Sequence, residues 1–273
     1  MSDLATVDAK GSLPEGIERA EGVRGPLRTF LRYAAMPLAL SLVLLALYLW
    51  VTGQELGSVE ARRLTPDVIR TQTVRHVELT LWSTFFVLLL AVPMGIIATR
   101  RATKRFAPTI IGLGNAGQAI PSLGLLALLY YLFREVEALP STGIVPVVVA
   151  LTAYSFLPIL RNTMVGLQQV DENILEAGRG MGMSEWTVLR RIEMPLAVPV
   201  ILAGVRTALV LNVGTAALAF LFGGGGPGGI IFQGFQLRRT PVLMTGAILV
   251  AVLALFIDWL AGIVEEKLTP RGL

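Results

Sequence analysis

Four groups of residues in this 273-residue chain are of types and spacings that could do chemistry. The richest lies between Arg161 and Pro195. Asp171 can cap a helix, with Glu172 in the first turn where an acid suits the helix dipole. That helix should run through Ile174, Leu175 and Glu176 until Gly178, Gly180 and Gly182 break it, since glycine permits sharp turns. Ser184 can cap a second helix, again with an acid, Glu185, in its first turn. Trp186, Leu189 and Ile192 would form its apolar stripe, with Arg190 and Arg191 off it, and Pro195 is expected to stop it. Two short helices about a glycine turn make a knob able to transmit a push. On residue chemistry alone, an interfacial amphipathic hairpin that only links its neighbours is an equal alternative.

The other three groups sit in apolar surroundings. Arg206 and Asp258 are charges in hydrocarbon-type segments, where charges need partners. If consecutive antiparallel helices pack together, they should form an ion pair, structural or gating in role. Asn115, Gln118 and Ser122 recur at three- and four-residue spacing and so would share one helical face. With Pro121 freeing a backbone carbonyl, that face could line a polar path. It could equally serve interhelical hydrogen bonding, with Gly112, Gly114 and Gly117 permitting close packing. The run Gly223–Gly229 is not a phosphate loop, because no Gly-Lys-Ser/Thr follows. A gate and a plain flexible turn are equal readings of it.

Several chemistries are absent. The chain has no cysteine and one histidine, His76, which excludes thiolate nucleophiles and Cys- or His-cluster metal sites. No phosphate loop, paired catalytic carboxylates or nucleophile–base arrangement is present. The chain is therefore not expected to be an enzyme or to bind a cofactor or metal.

The elements that must position these residues are membrane helices. Hydrophobic residues make up 54% and charged residues 15%, against about 25% charged in ordinary soluble domains, and the mean hydropathy is +0.68. The apolar residues cluster into six segments near the roughly 20-residue length that crosses a bilayer: 34–52, 77–99, 110–133, 144–160, 196–222 and 242–264. The fold class is thus an all-α polytopic membrane protein of about six transmembrane helices. The organisation expected is a flexible cytoplasmic tail (1–32), a first helix and extracytoplasmic loop (33–72), a core of five membrane helices (73–264) and a cytoplasmic tail (265–273). Residues 1–26 are polar, so no cleavable signal is expected there. Placing both ends in the cytoplasm puts fifteen Lys and Arg inside and seven outside, with Arg206 within a span; this satisfies the positive-inside rule. The net charge of +4 then reflects that bias and not a nucleic-acid partner.

The residues Glu176-Ala177-Gly178, then Gly182, then Ile192 and Pro195 resemble the signature of ATP-binding-cassette (ABC) importer permeases. That signature is Glu-Ala-Ala, three residues, Gly, nine residues, then Ile-x-Leu-Pro. Gly178 replaces the second alanine and Met194 the leucine. From about Thr73 to Val264 the chain is similar to type I importer permeases, and most to those for osmoprotectants such as glycine betaine, choline, carnitine or proline betaine. Gln118 to Gly124, Arg161 to Thr163, Gly180 to Ser184 and Ala203 to Ala208 carry that similarity. It implies that the 176–195 loop is a coupling helix seated in a cleft of a separate ATPase, which holds ATP and Mg. It also implies a second permease chain, identical or homologous, an extracytoplasmic substrate-binding protein, and a bacterial inner-membrane location. The rival readings are a permease for another small solute such as an amino acid, a gradient-driven secondary transporter or channel, and an intramembrane enzyme. A secondary transporter would show inverted repeats and charge-lined broken spans.

Overall fold

The computed structural model describes residues 15–136 and 139–269; side chains are described from Tyr33 onward, Val59 excepted. The chain divides into two compact units, one ending at Ala46 and one starting at Leu47. The first is built on α1 (Glu15–Thr52), whose part Tyr33–Thr52 is apolar enough to cross a bilayer. The flexible tail expected through residue 32 differs from this backbone, which is helical from Glu15. Glu, Arg, Ala and Leu in that stretch are good helix formers, so polarity alone does not forbid a helix. Residues 1–14 of that tail, and 270–273 of the C-terminal one, lie outside the described residues.

The second unit holds α2 (Ser58–Arg63), α3 (Pro66–Thr99), α4 (Ala107–Ala119), α5 (Ser122–Arg134), α6 (Ile144–Gln168), α7 (Glu172–Gly180), α8 (Glu185–Val188), α9 (Met194–Ala216), α10 (Gly228–Gln236) and α11 (Thr240–Leu268). At its centre α6 packs against both α3 and α9; α4 lies on α6, α11 on α9, and α10 on α11. Two apolar clusters fill it. Leu79, Leu126, Val147, Leu151 and Ala216 form one, and Val87, Ala91, Leu157, Leu160 and Ala208 the other.

All six expected spans have helical counterparts, but their limits and shapes differ from the sequence reading. α3 begins at Pro66, eleven residues before the apolar run, because Thr65 caps it by accepting a hydrogen bond from the Val68 amide. α6 continues through Gln168 instead of ending near Leu160, so Arg161 lies within it. The third span is two helices, α4 and α5, bent by 102°. Pro121 lacks an amide hydrogen and disfavours helical backbone at the residue before it, and Ile120 is accordingly extended (φ −73°, ψ 126°). The expected common face of Asn115, Gln118 and Ser122 therefore does not exist: Ser122 starts a helix pointing elsewhere. The glycine-rich link includes α10, since only Gly223, Gly225 and Gly226 have positive φ and Gly228 already belongs to that helix.

The helices approach closely because small residues lie where they cross, as is usual inside membranes. A Cβ on Gly117 of α4 would sit 2.6 Å from the Ala153 carbonyl oxygen of α6, whereas one on Gly112 would meet nothing within 4 Å. Gly117→Val should therefore force α4 off α6 and destabilise the protein by about 1–3 kcal/mol, while Gly112→Val should be near neutral. Thermal melting of the purified variants in detergent, followed by size-exclusion chromatography, checks the difference.

Candidate functional site: a helical knob between α6 and α9

α6 ends at Gln168, and the chain then builds the knob from Asp171 to Glu193. Asp171 Oδ1 accepts the Asn173 amide at 2.9 Å and starts α7. α7 does not break at Gly178 or Gly180; both are helical, and the turn falls on Gly182 alone, at φ +84°. There the Gly182 amide donates to Arg179 O (2.9 Å) and the Met183 amide to Gly178 O (3.2 Å). This pair of bonds is a Schellman closure, which needs a left-handed residue at the position Gly182 fills. Ser184 Oγ then accepts the Thr187 amide and opens α8.

Pro195 does not stop the second helix. Glu185 to Ala216 is one helical rod, in which Leu189–Glu193 form a π turn before Met194 and Pro195 begin α9. Pro195 has no amide hydrogen and its ring crowds the carbonyl four residues back. The wider π turn ahead of it absorbs both defects, so the helix continues into the membrane segment without a break. The apolar stripe also differs from the one expected. Val188 and Leu189 are buried while Trp186 is 67% exposed, so the face that packs inward is not the one carrying Trp186. Leu189 packs with Leu167 of α6 and with Ala197 and Ile201 of α9, which roots the knob.

The signature residues take distinct places. Glu176 and Ala177 are exposed on α7, and Gly178 is buried. A Cβ on Gly178 would lie 2.8 Å from Ile192 Cδ1, so glycine lets α7 settle against half-buried Ile192. Pro195 is exposed at the start of α9. Ile174 and Met181 are exposed, as is Trp186, so the knob presents apolar side chains as well as Glu176 to solvent.

Charged residues fasten the knob to the end of α3, and the sequence reading missed them. Arg100, at the C-cap of α3, donates to both oxygens of Glu193, with Nη1 to Oε1 at 2.9 Å and Nη2 to Oε2. Glu193 is 2% exposed. Its hydrogen bond to Arg100 raises the guanidinium's pKa above the usual range. Around this pair runs an exposed network in which Arg179 bridges Glu185 (2.9 Å) and Glu172 (3.1 Å), with Arg101 3.5 Å from Glu172. These groups ring a cavity of about 530 Å³ between α3, α6 and the knob. Arg100 opened a basic cluster and Glu193 stood between two signature positions; no spacing rule joins residues 93 apart.

The other sequence candidates fall elsewhere. Arg206 and Asp258 do meet, bidentately, with Nε to Oδ1 at 2.6 Å and Nη2 to Oδ2 at 2.8 Å. Glu265, which sequence reasoning did not select, lies 3.6 Å from Arg206 Nη1. Gly262 lies between the two acids on the same face of α11, and its Cβ position is 3.5 Å from the guanidinium. Asn115 accepts from Arg161 Nη2 of α6 at 3.0 Å; Gln118 and Ser122 are half-buried and apart from the knob. The glycine run is fixed in place, the Gly226 amide donating to Gln72 Oε1 of α3 at 2.7 Å. This is a built turn, not a loose one.

Residues 91–270 match the family of binding-protein-dependent transport system inner membrane components. The chain is 41% identical over 202 residues to the glycine betaine/carnitine/choline transport system permease protein OpuCB of Bacillus subtilis, which covers 74% of this chain and 89% of that protein. It is 40% identical over 230 residues to the osmoprotectant import permease protein OsmY of Salmonella typhimurium, covering 84% and 92%. Its fold resembles a chain of the inward-facing MetNI methionine ABC transporter, with a TM-score of 0.65, 24% identity, and coverage of 74% and 96%. A membrane core of packed apolar helices, the knob that interrupts them and these matches agree: the chain belongs to the family of binding-protein-dependent transport system inner membrane components.

Proposed function

We propose that this chain is the membrane-spanning subunit of an ATP-driven importer for a small osmoprotectant such as glycine betaine, choline or carnitine. The observation that carries the reading is the knob at 171–193. It is capped at both helix starts, closed by Gly182, rooted by Leu189 and Glu193, and left with Glu176, Met181 and Trp186 exposed. The substrate class rests on the relatives, whose names specify these solutes.

In this reading the chain itself performs no catalysis and binds no cofactor; ATP and Mg belong to a partner ATPase that receives the knob. Two permease chains, identical or homologous, enclose the path, and a soluble binding protein delivers the solute. The knob and the end of α11 face the cytoplasm, and the starts of α3 and α11 face outward, in keeping with the fifteen-to-seven distribution of Lys and Arg. Asn115, Gln118 and Ser122 are candidates for the path, although they occupy two helices, and the Arg206–Asp258 pair is a candidate hold between α9 and α11. When the ATPases close, the push enters α7 and α8. It passes along the rod into α9, and through Glu193–Arg100 into α3.

Two outcomes are expected. Glu176→Lys should leave the protein in the membrane but reduce binding-protein-dependent uptake and stimulated ATP hydrolysis by about tenfold or more, the equivalent of about 1.4 kcal/mol at a docking surface. Uptake at the normal rate would remove the docking role. Arg100→Met alone strands a buried carboxylate and should cost about 3–5 kcal/mol. The double variant Arg100→Met with Glu193→Leu should recover stability, as melting in detergent reads it, yet transport fewer solutes per ATP. Recovery of the normal ratio would show that the pair only stabilises.

A further inference from the structure

Helices α4, α6 and α9 hold only two charged residues, Arg161 and Arg206. Arg206 is paired with Asp258 and Glu265 of α11. Arg161 has no carboxylate partner among the described residues: its Nη2 donates to Asn115 Oδ1 of α4 at 3.0 Å, and both side chains are exposed. The acids next along the chain, Asp171 and Glu172, are taken up by the α7 cap and by Arg179 and Arg101. Arg161 stands two turns before the end of α6 at Gln168, about 10 Å from it at 1.5 Å per residue. Asn115 stands about 12 Å along α4 from its start at Ala107. The guanidinium is therefore held at depth instead of bending to the membrane surface.

The neighbours of α6 decide what this cation faces. A Cβ on Gly95 of α3 would touch Thr163 at 2.7 Å, so α3 covers the side of α6 that carries Thr163. Arg161 lies two residues back, about 200° around the helix, and points away from α3. A Cβ on Gly204 of α9 would meet Asn162, and one on Gly117 of α4 the Ala153 oxygen, each at 2.6 Å, so α9 and α4 flank α6. Beside the Gly204 contact, α9 exposes Ala203, Thr207, Val210 and Gly214 at i, i+4, i+7 and i+11, one helical stripe. The antiparallel course of α6 and α9 turns that stripe to the same side as Arg161. The shared face is small and polar, unlike the outer face of α3, where Trp82, Phe85 and Leu89 are exposed. An arginine at that depth belongs on a hydrated surface and not against lipid tails. With Nη2 engaged by Asn115, the remaining donors of its fork are open to a carboxylate, while a cation without an anion is repelled.

We propose that Arg161, presented by Asn115, is a carboxylate-binding residue on the face that solute passes, and that it favours zwitterions such as glycine betaine over a plain cation such as choline. The proposal rests on the importer reading above. The test uses the assembled importer in proteoliposomes at saturating binding protein, with glycine betaine and choline as solutes. Arg161→Cys should lower the maximal rate of glycine betaine uptake by about tenfold or more and leave choline uptake unchanged or higher. Attaching an aminoethyl group to the new thiol restores a positive charge and should recover glycine betaine uptake. A sulfonatoethyl group should not. The unaltered chain has no cysteine, so it controls for reaction of the reagents with the partner subunits. Arg161→Lys should retain glycine betaine uptake within about threefold, since it keeps the charge but not the fork. Three results overturn the proposal. They are glycine betaine uptake that Arg161→Cys leaves unchanged, choline uptake that falls in the same proportion, and a thiol that the reagents cannot reach in the assembled importer, which would assign this face to contact between permease chains. An unaltered importer that carries neither solute would instead overturn the importer reading itself.

Discussion

A carboxylate buried where α9 begins organises the functional end of this protein. Glu193 has almost no contact with solvent, so its charge must be paired and hydrogen-bonded or the site could not form. Arg100 meets both of its oxygens. One interaction therefore fixes three things: where α3 ends, where the π turn sits, and how the knob is tilted relative to the membrane helices. The surrounding exposed bridges of Arg179 and Arg101 are of the kind that contributes about 0–1 kcal/mol each. They orient the surface, whereas the buried pair holds the joint.

The bilayer supplies the second constraint, because unsatisfied backbone groups are costly there. Prolines mark the places where the chain meets this constraint in different ways. At Pro195 a π turn keeps the helix from Glu185 to Ala216 continuous. At Pro121 the helix breaks outright and turns by 102°. Arg206 and Asp258 show the same economy for side chains. Each charge resides in an apolar helix because the other is within hydrogen-bond reach, and Gly262 leaves room for the guanidinium.

Much of this was legible from residues. Long apolar runs locate the helices, Asp171 and Ser184 announce the two caps, and the opposite charges of Arg206 and Asp258 imply their meeting because neither tolerates hydrocarbon alone. What stayed hidden depends on geometry that pattern rules assume rather than reveal. A helical period of about 3.6 places Trp186, Leu189 and Ile192 on one stripe, but which face meets the neighbouring helices is set by the fold, and Trp186 is exposed while Val188 is buried. The same rule aligns Asn115, Gln118 and Ser122 only if the helix survives Pro121. Helix α10 was masked by glycines, which read as loop although most serve close contact with neighbouring helices. The Arg100–Glu193 pair needs the fold before its two halves are neighbours.

In the function proposed, a surface knob feeds a continuous helical rod and a buried ion pair, and so acts as a coupling device. The central claim is that the knob's exposed face is covered by the ATPase on the cytoplasmic side. The chain has no cysteine, so Ala177→Cys introduces a single reactive thiol. Maleimide labelling of that thiol in inside-out vesicles, with and without the ATPase subunit, tests the claim most directly. Rapid labelling that the ATPase suppresses is the predicted result. Labelling indifferent to the ATPase, or seen only from the opposite face of the membrane, would contradict it.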